Sequence, residues 1–149
     1  AIYQKLFTGN HPQVAEALGT RGAIQARRGD IDGALATLAT ALEMLAGFGL
    51  ESGDTAVSTR FTRVQALASA GRPADALTEL DGVLAVHQRS LPDGRVRRVE
   101  MLTMKAELLA RLGLTTDARA TAIAARALVT DRSLVNEAVW ARLEKLGGH

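Results

Sequence analysis

The sequence predicts an all-α protein. Alanine (27 residues) and leucine (21 residues) together make up about a third of the 149 residues, and both favour helices. Only five residues are aromatic, which is little material for the packed faces of a β-sandwich. In addition, a set of similar residues recurs every 42 positions, which indicates that the helices form repeats.

The recurrence is anchored on three glycines, Gly29, Gly71 and Gly113, which are 42 residues apart. Alanine stands three residues before and five residues after each glycine, and a basic residue stands eight before it. Small or β-branched residues stand seven before and twelve after each glycine. Because the three copies align without an insertion, we interpret them as three structural repeats.

The turn residues and apolar stripes place the helices in order along the chain. Pro12 suits the first turn of a helix, where its missing N–H would have no intrahelical partner, and Pro73 begins a later helix in the same way. Gly29 and Gly71 stand where a helix ends and the backbone needs a positive φ. The predicted helices are 12–28, 31–47, 54–70, 73–89, 96–112, 115–130 and 133–146.

Neither helix of a predicted pair can bury its apolar face alone, so stacked helical hairpins are expected to form a solenoid. The three hairpins and a terminal helix, which caps the stack or begins a further repeat, are predicted at 12–47, 54–89, 95–130 and 133–146. Trp140, on this terminal helix, is expected to pack in the core against the preceding pair of helices. Residues 1–8 look like the end of a preceding helix. We therefore expect one domain over 1–149, and the initial alanine suggests a piece of a longer protein.

The residues around the three turns resemble the second half of a tetratricopeptide repeat. The matching segments are Gly29-Asp30-Ile31-Asp32-Gly33-Ala34, Gly71-Arg72-Pro73-Ala74-Asp75-Ala76 and Gly113-Leu114-Thr115-Thr116-Asp117-Ala118. With the 42-residue period and the segment 9–15, the chain resembles the kinesin-light-chain type of repeat, which is common in bacterial signalling proteins. The resemblance implies a right-handed α–α superhelix, a concave surface lined by the first helix of each hairpin, and a role in binding other proteins.

The chain departs from the family at the position eight residues before each turn glycine. The family has leucine there, whereas this chain has Arg21, Arg63 and Lys105, which we call the basic column. Two interpretations are open. The three cations line the concave surface and bind an acidic peptide, or their stems pack in the core while their charged heads reach solvent or pair with carboxylates such as Glu16 or Glu107.

Charge is distributed unevenly, although the formal net charge is only +2. The first helices of the hairpins carry +2, +1 and +3 in chain order, and the second helices carry −2, −2 and 0. A basic inner face and an acidic outer face favour acidic ligands.

We therefore expect a protein-interaction module that binds a peptide or partner segment of acidic character in a basic concave groove. The expected contact residues are Arg27, Arg63, Arg97, Lys105, Arg111, Thr20, Thr62 and Met104. Two alternatives belong to other classes. One is a ligand-sensing, regulatory domain of a bacterial kinase or transcription regulator, and the other is a structural solenoid that self-associates through its ends into a homo-oligomer.

Other functions have little support in the sequence. The absence of cysteine excludes disulfides and thiol nucleophiles. His11, His87 and His149 are far apart, and no His/Glu pair has metal-ligand spacing, so we expect no metal, no cofactor and no enzymatic activity. The basic run 95–98 lacks the interleaved aromatic residues of a nucleic-acid interface. Since no run approaches the roughly 20 apolar residues of a membrane span and no signal peptide is visible, a cytoplasmic location is expected.

Overall fold

A computed structural model of the chain describes residues 11–90, 95–129, 131 and 135–147. All regular secondary structure in this part of the chain is helical, which confirms the all-α prediction there. The helices are α1 (Pro12–Arg27), α2 (Ile31–Gly47), α3 (Asp54–Ser69), α4 (Pro73–Ser90), α5 (Arg95–Arg111), α6 (Thr115–Ala127) and α7 (Glu137–Gly147).

The first five helices begin and end within one residue of the predicted positions, but the last two differ from the prediction. The helix predicted to reach 130 ends at Ala127, where the amides of Leu128 and Val129 bond three residues back and tighten the last turn. The helix predicted from 133 begins at Glu137, because the Asn136 side chain accepts from the Ala138 amide at 2.8 Å and so caps it. Residues 1–8, 130 and 133–134 of the predicted helices lie outside the described residues.

All three turn glycines have a positive φ angle, which the sequence predicts for Gly29 and Gly71. The φ angles of Gly29, Gly71 and Gly113 are +86°, +73° and +78°. After each glycine, the next amide reaches back to the carbonyl five residues earlier, as Asp30 does to Gln25 at 3.0 Å. This Schellman arrangement closes each helix by satisfying carbonyls that have no partner within the helix. The sequence recurrence is therefore also a recurrence of one turn geometry.

The recurring small residues are buried in the core. The alanines five residues after the turn glycines are at most 3 % exposed, and the residues twelve after them are fully buried. Positions seven before the glycines hold Gly22, Val64 and Ala106, all of which are buried. At Gly22 the α1 backbone lies so close to Leu38 of α2 that an added Cβ would meet it at 2.6 Å. Small side chains at these positions let the helices approach each other closely.

The chain divides into two compact units, residues 1–72 (unit 1) and residues 73–149 (unit 2). In unit 1, α1 packs on α2, and α3 packs on both. In unit 2, α5 packs on α6, and α7 packs on both, while α4 packs on α5. The core of unit 2 contains Val99, Ala106, Ala122, Ala125, Val139 and Leu143. Thus α7 holds the same place relative to α5 and α6 that α3 holds relative to α1 and α2.

A search of the described helices for a membrane-crossing segment finds none that combines the required length and apolar character.

Candidate functional site

The candidate site lies in unit 1, where α1 and α3 run beside each other. Gly19 of α1 allows this approach, because a Cβ at that position would lie 3.1 Å from the Oγ1 of Thr59 on α3. Thr59 is itself buried, and its hydroxyl donates to the Thr55 carbonyl at 2.7 Å. The close contact at Gly19 and Thr59 forms the floor of a groove between the two helices.

This unit 1 groove consists of two open depressions, of about 320 and 520 Å³, which share Ala23 and Thr62. The lining side chains are small or hydroxylated, apart from one amide and three charged groups. On α1 they are Glu16, Gly19, Thr20, Ala23, Ala26 and Arg27. On α3 they are Asp54, Thr55, Ser58, Thr59, Thr62, Gln65, Ala66 and Ser69. Such a lining fits an extended chain better than a helix with bulky anchor residues.

The charged groups of the groove are separated along its length. Glu16 and Asp54 lie near the beginnings of α1 and α3, and Arg27 lies in the last turn of α1. Asp54, in the first turn of α3, and Arg27, in the last turn of α1, also complement the dipoles of their helices. At a rise of 1.5 Å per residue, Glu16 and Arg27 are about 16 Å apart along the helix axis. An extended segment of about five residues would span that length.

The threonines of the groove present hydrogen-bond acceptors. The Thr20 hydroxyl donates to the Glu16 carbonyl at 3.2 Å, and the Thr62 hydroxyl donates to the Ser58 carbonyl at 3.1 Å. Each proton is therefore used within the helix, and the oxygen lone pairs remain for a ligand. Thr40 and Thr78, on second helices, make the same bond, so the pattern is a local property of these helices.

The structure brings together three of the predicted contact residues, Arg27, Thr20 and Thr62, in the unit 1 groove. Arg63 is on α3 but is not among the residues that line the groove. Its side chain is half-buried, and its Nε is buried without a hydrogen-bond partner in the described structure. Arg21 does not line the groove but a neighbouring depression on α1, which shares Thr20 with it.

The remaining predicted contact residues lie on α5 of unit 2. Lys105 pairs with Asp81 of α4 through a 2.8 Å contact, so its charged head meets a carboxylate other than the two named from the sequence. Met104 and Arg97 are half-buried, and Arg111 is exposed. The members of the basic column thus have three different environments: an exposed helix face, a half-buried position and an ion pair.

An ion pair that the sequence reasoning missed joins α5 to α7. The guanidinium of Arg142 donates two hydrogen bonds to Glu107, from Nε at 2.5 Å and from Nη2 at 2.6 Å. These hydrogen bonds raise the pKa of Arg142, burial opposes the rise, and the negative charges of Glu107 and Glu100 add to it. Two periods of 42 residues align Glu107 and Arg142 with positions on α1 and α3, and this alignment was the only sign in the sequence that the two residues belong to corresponding helix faces.

Trp140 of α7 is half-buried, contrary to the expectation of a core residue. Its indole N–H donates to Glu144 at 2.8 Å, and the Arg126 guanidinium lies 5.4 Å from its ring centroid. The buried residues of α7 are Val139, Leu143 and Gly147. Because Trp140 immediately follows Val139, it points toward the edge of the helix contact, where its polar atom has a partner.

The described residues hold no group of three or more His, Asp or Glu side chains arranged to bind a metal ion. His11 caps α1, since its Nδ1 accepts from the Gln13 amide at 3.2 Å. His87 is buried in α4, and His149 lies outside the described part of the chain.

No protein-family model matches the chain, and no curated protein matches it.

Proposed function

We propose that this protein is an interaction module of the tetratricopeptide type, and that the unit 1 groove binds an extended segment of a partner protein. The observation that carries the proposal is the open groove between two first helices, with small side chains along its floor and charges toward its ends. The turn glycines, which repeat one geometry at a spacing of 42 residues, support the tetratricopeptide assignment.

Arg27 is the residue of the groove that receives an acidic group of the partner segment. It is exposed, it lies at the end of the groove opposite the two carboxylates, and Ser69 and Gln65 line the same depression. The groove is mixed in charge, with two carboxylates and one arginine, rather than basic throughout. The acidic character expected of the ligand therefore concerns one end of the bound segment.

The adjacent arginines Arg27 and Arg28 provide a matched test. Both are exposed, but Arg27 lines the groove and Arg28 lies on the face of α1 that carries Arg21. Peptides are first selected from a random displayed library on the immobilised protein. Arg27→Ala should then weaken acidic binders by about 2- to 5-fold, the loss of one exposed ion pair, while Arg28→Ala leaves them unchanged. Equal effects of the two substitutions would refute the proposed groove.

A further inference from the structure

Unit 2 shows how the same helix faces look when an ion pair joins them. There α7 packs along α5 as α3 packs along α1, and the Glu107–Arg142 ion pair crosses between the two helices. Two periods of 42 residues earlier, Ala23 stands at the position of Glu107, and Ser58 stands at the position of Arg142. Ala23 and Ser58 both line the unit 1 groove. Unit 1 therefore lacks the two side chains that join the corresponding helices of unit 2.

The neighbouring carboxylate of unit 2 is retained in unit 1. Glu100 acts electrostatically on the Arg142 guanidinium, and the residue two periods before Glu100 is Glu16. Glu16 lines the groove beside Ser58, and Asp54 of α3 lines the same depression. Unit 1 thus has carboxylates in the depression that contains Ser58, and Ser58 stands at the position of Arg142 in unit 2.

The hydroxyl groups around the space beside Ala23 and Ser58, which we call the gap, also favour a ligand group that donates hydrogen bonds. Thr20 and Thr62 use their protons on helix carbonyls and offer lone pairs, and a guanidinium has five N–H donors and no acceptor. The planar fork of arginine suits such a set of carboxylate and hydroxyl oxygens better than the single ammonium of lysine.

We propose that the partner segment supplies an arginine, whose guanidinium enters the gap beside Ala23 and Ser58 and is held by Glu16. An acidic residue of the same segment contacts Arg27. The level of Thr20 is about 10 Å along α1 from Arg27, so about three extended residues separate the two ligand charges. This inference rests on the proposed function and specifies its ligand as a segment with both charges.

The first experiment compares defined peptides by amide chemical shifts. Alanine- and serine-based peptides of about ten residues carry arginine and glutamate about three residues apart, in either order, or arginine alone, glutamate alone or neither. The amides of Thr20, Ser58 and Thr62 report binding in the groove. The better of the two-charge peptides should bind about 2- to 5-fold more tightly than the glutamate peptide, the gain from one exposed ion pair. Glu16→Gln should remove this gain, and Glu51→Gln, in the loop after α2, should not.

The second experiment changes the gap itself. Ala23→Glu adds the carboxylate of unit 2 and should tighten binding of the arginine-containing peptide. Ser58→Arg places a cation in the gap and should weaken it, and the double variant imports the whole ion pair and should abolish the arginine preference. Ala17→Glu is the matched control, because it adds the same charge to α1 outside the groove. Circular dichroism and thermal unfolding establish that each variant is folded.

The outcomes separate the two proposals. If no peptide shifts the groove amides, the proposed function is wrong. If the glutamate peptide binds as tightly as the two-charge peptide, or if Ala23→Glu tightens binding no more than Ala17→Glu does, the groove binds peptides but the arginine site is wrong. A two-charge preference that Glu16→Gln and Ser58→Arg both remove supports the inference.

Discussion

Replacing Gly22 by alanine should destabilise this protein, although the same replacement at Gly82 should stabilise it. Both glycines lie in the interior of a helix, Gly22 in α1 and Gly82 in α4. A Cβ at Gly22 would lie 2.6 Å from both Cγ and Cδ2 of Leu38, which is fully buried. A Cβ at Gly82 would meet no atom within 4 Å. One methyl group is therefore added to a filled space in the first case and to open solvent in the second.

The expected changes in the free energy of unfolding follow from helix propensity and from packing. In a helix interior, alanine is about 1 kcal/mol more favourable than glycine, and Gly82→Ala should realise all of this gain. At Gly22 the same gain is opposed by overpacking, which costs about 1–3 kcal/mol. The Cγ of Leu38 is not the free end of its side chain, so it moves only with its neighbours. The two variants should therefore differ by about 1–3 kcal/mol in the free energy of unfolding.

Urea and thermal unfolding measure this difference directly. Each kcal/mol corresponds to about 2–4 °C in Tm for a chain of this length. Leu38→Ala, which removes both contacting atoms of the opposing side chain, provides the second arm of a double-mutant cycle. Combined with Gly22→Ala, it should cost less than the two single changes together, because it removes the clash. If Gly22→Ala is as stabilising as Gly82→Ala, the close packing of α1 on α2 is refuted.

Three further predictions concern individual contacts. Arg142→Gln should lower the free energy of unfolding by about 1 kcal/mol, since the pair is half-exposed, and exchanging Glu107 and Arg142 should recover most of it. Because the folded state raises the pKa of Arg142, this contribution should persist from neutral to moderately alkaline pH and fade only as the arginine itself loses its proton. Asp30→Ala removes a side-chain cap of α2 and should cost about 1 kcal/mol in chemical denaturation; an unchanged midpoint would contradict the cap. Arg126→Ala should shift the fluorescence emission of Trp140, the single tryptophan, and cost about 0.5–1 kcal/mol, and an unaltered spectrum would contradict that contact.

Much of the fold could be predicted because its signals are local. The turns at Gly29 and Gly71 need a positive φ that glycine adopts without strain, and the residues around them are close in sequence. The last helix was predicted to begin too early, because apolar spacing does not reveal the cap at Asn136 that decides where it begins. Apolar periodicity determines which residues a helix buries better than it determines its ends.

The candidate site could be predicted only in part. Arg27, Thr20 and Thr62 follow from placing first helices side by side, and the structure brings these three together. The basic column could not be resolved from its spacing, because a long cation has the same sequence signal whether it is exposed, half-buried or paired. Lys105 shows the difficulty, since its partner Asp81 lies on the neighbouring helix, 24 positions earlier in the chain.

By itself, the sequence determined the helical class, the 42-residue recurrence, the turn glycines and the small residues that the helices bury. These features depend on local backbone preference and on periodic burial, which each segment carries in its own residues. Only the tertiary structure decided that an open groove lies between α1 and α3 in unit 1, while an ion pair joins α5 and α7 in unit 2. That outcome depends on which side chains meet across two helices, as Glu107 meets Arg142 while Ala23 and Ser58 leave a gap. These contacts join residues that are 35 positions apart in the chain, so they depend on how the helices pack and not on local sequence.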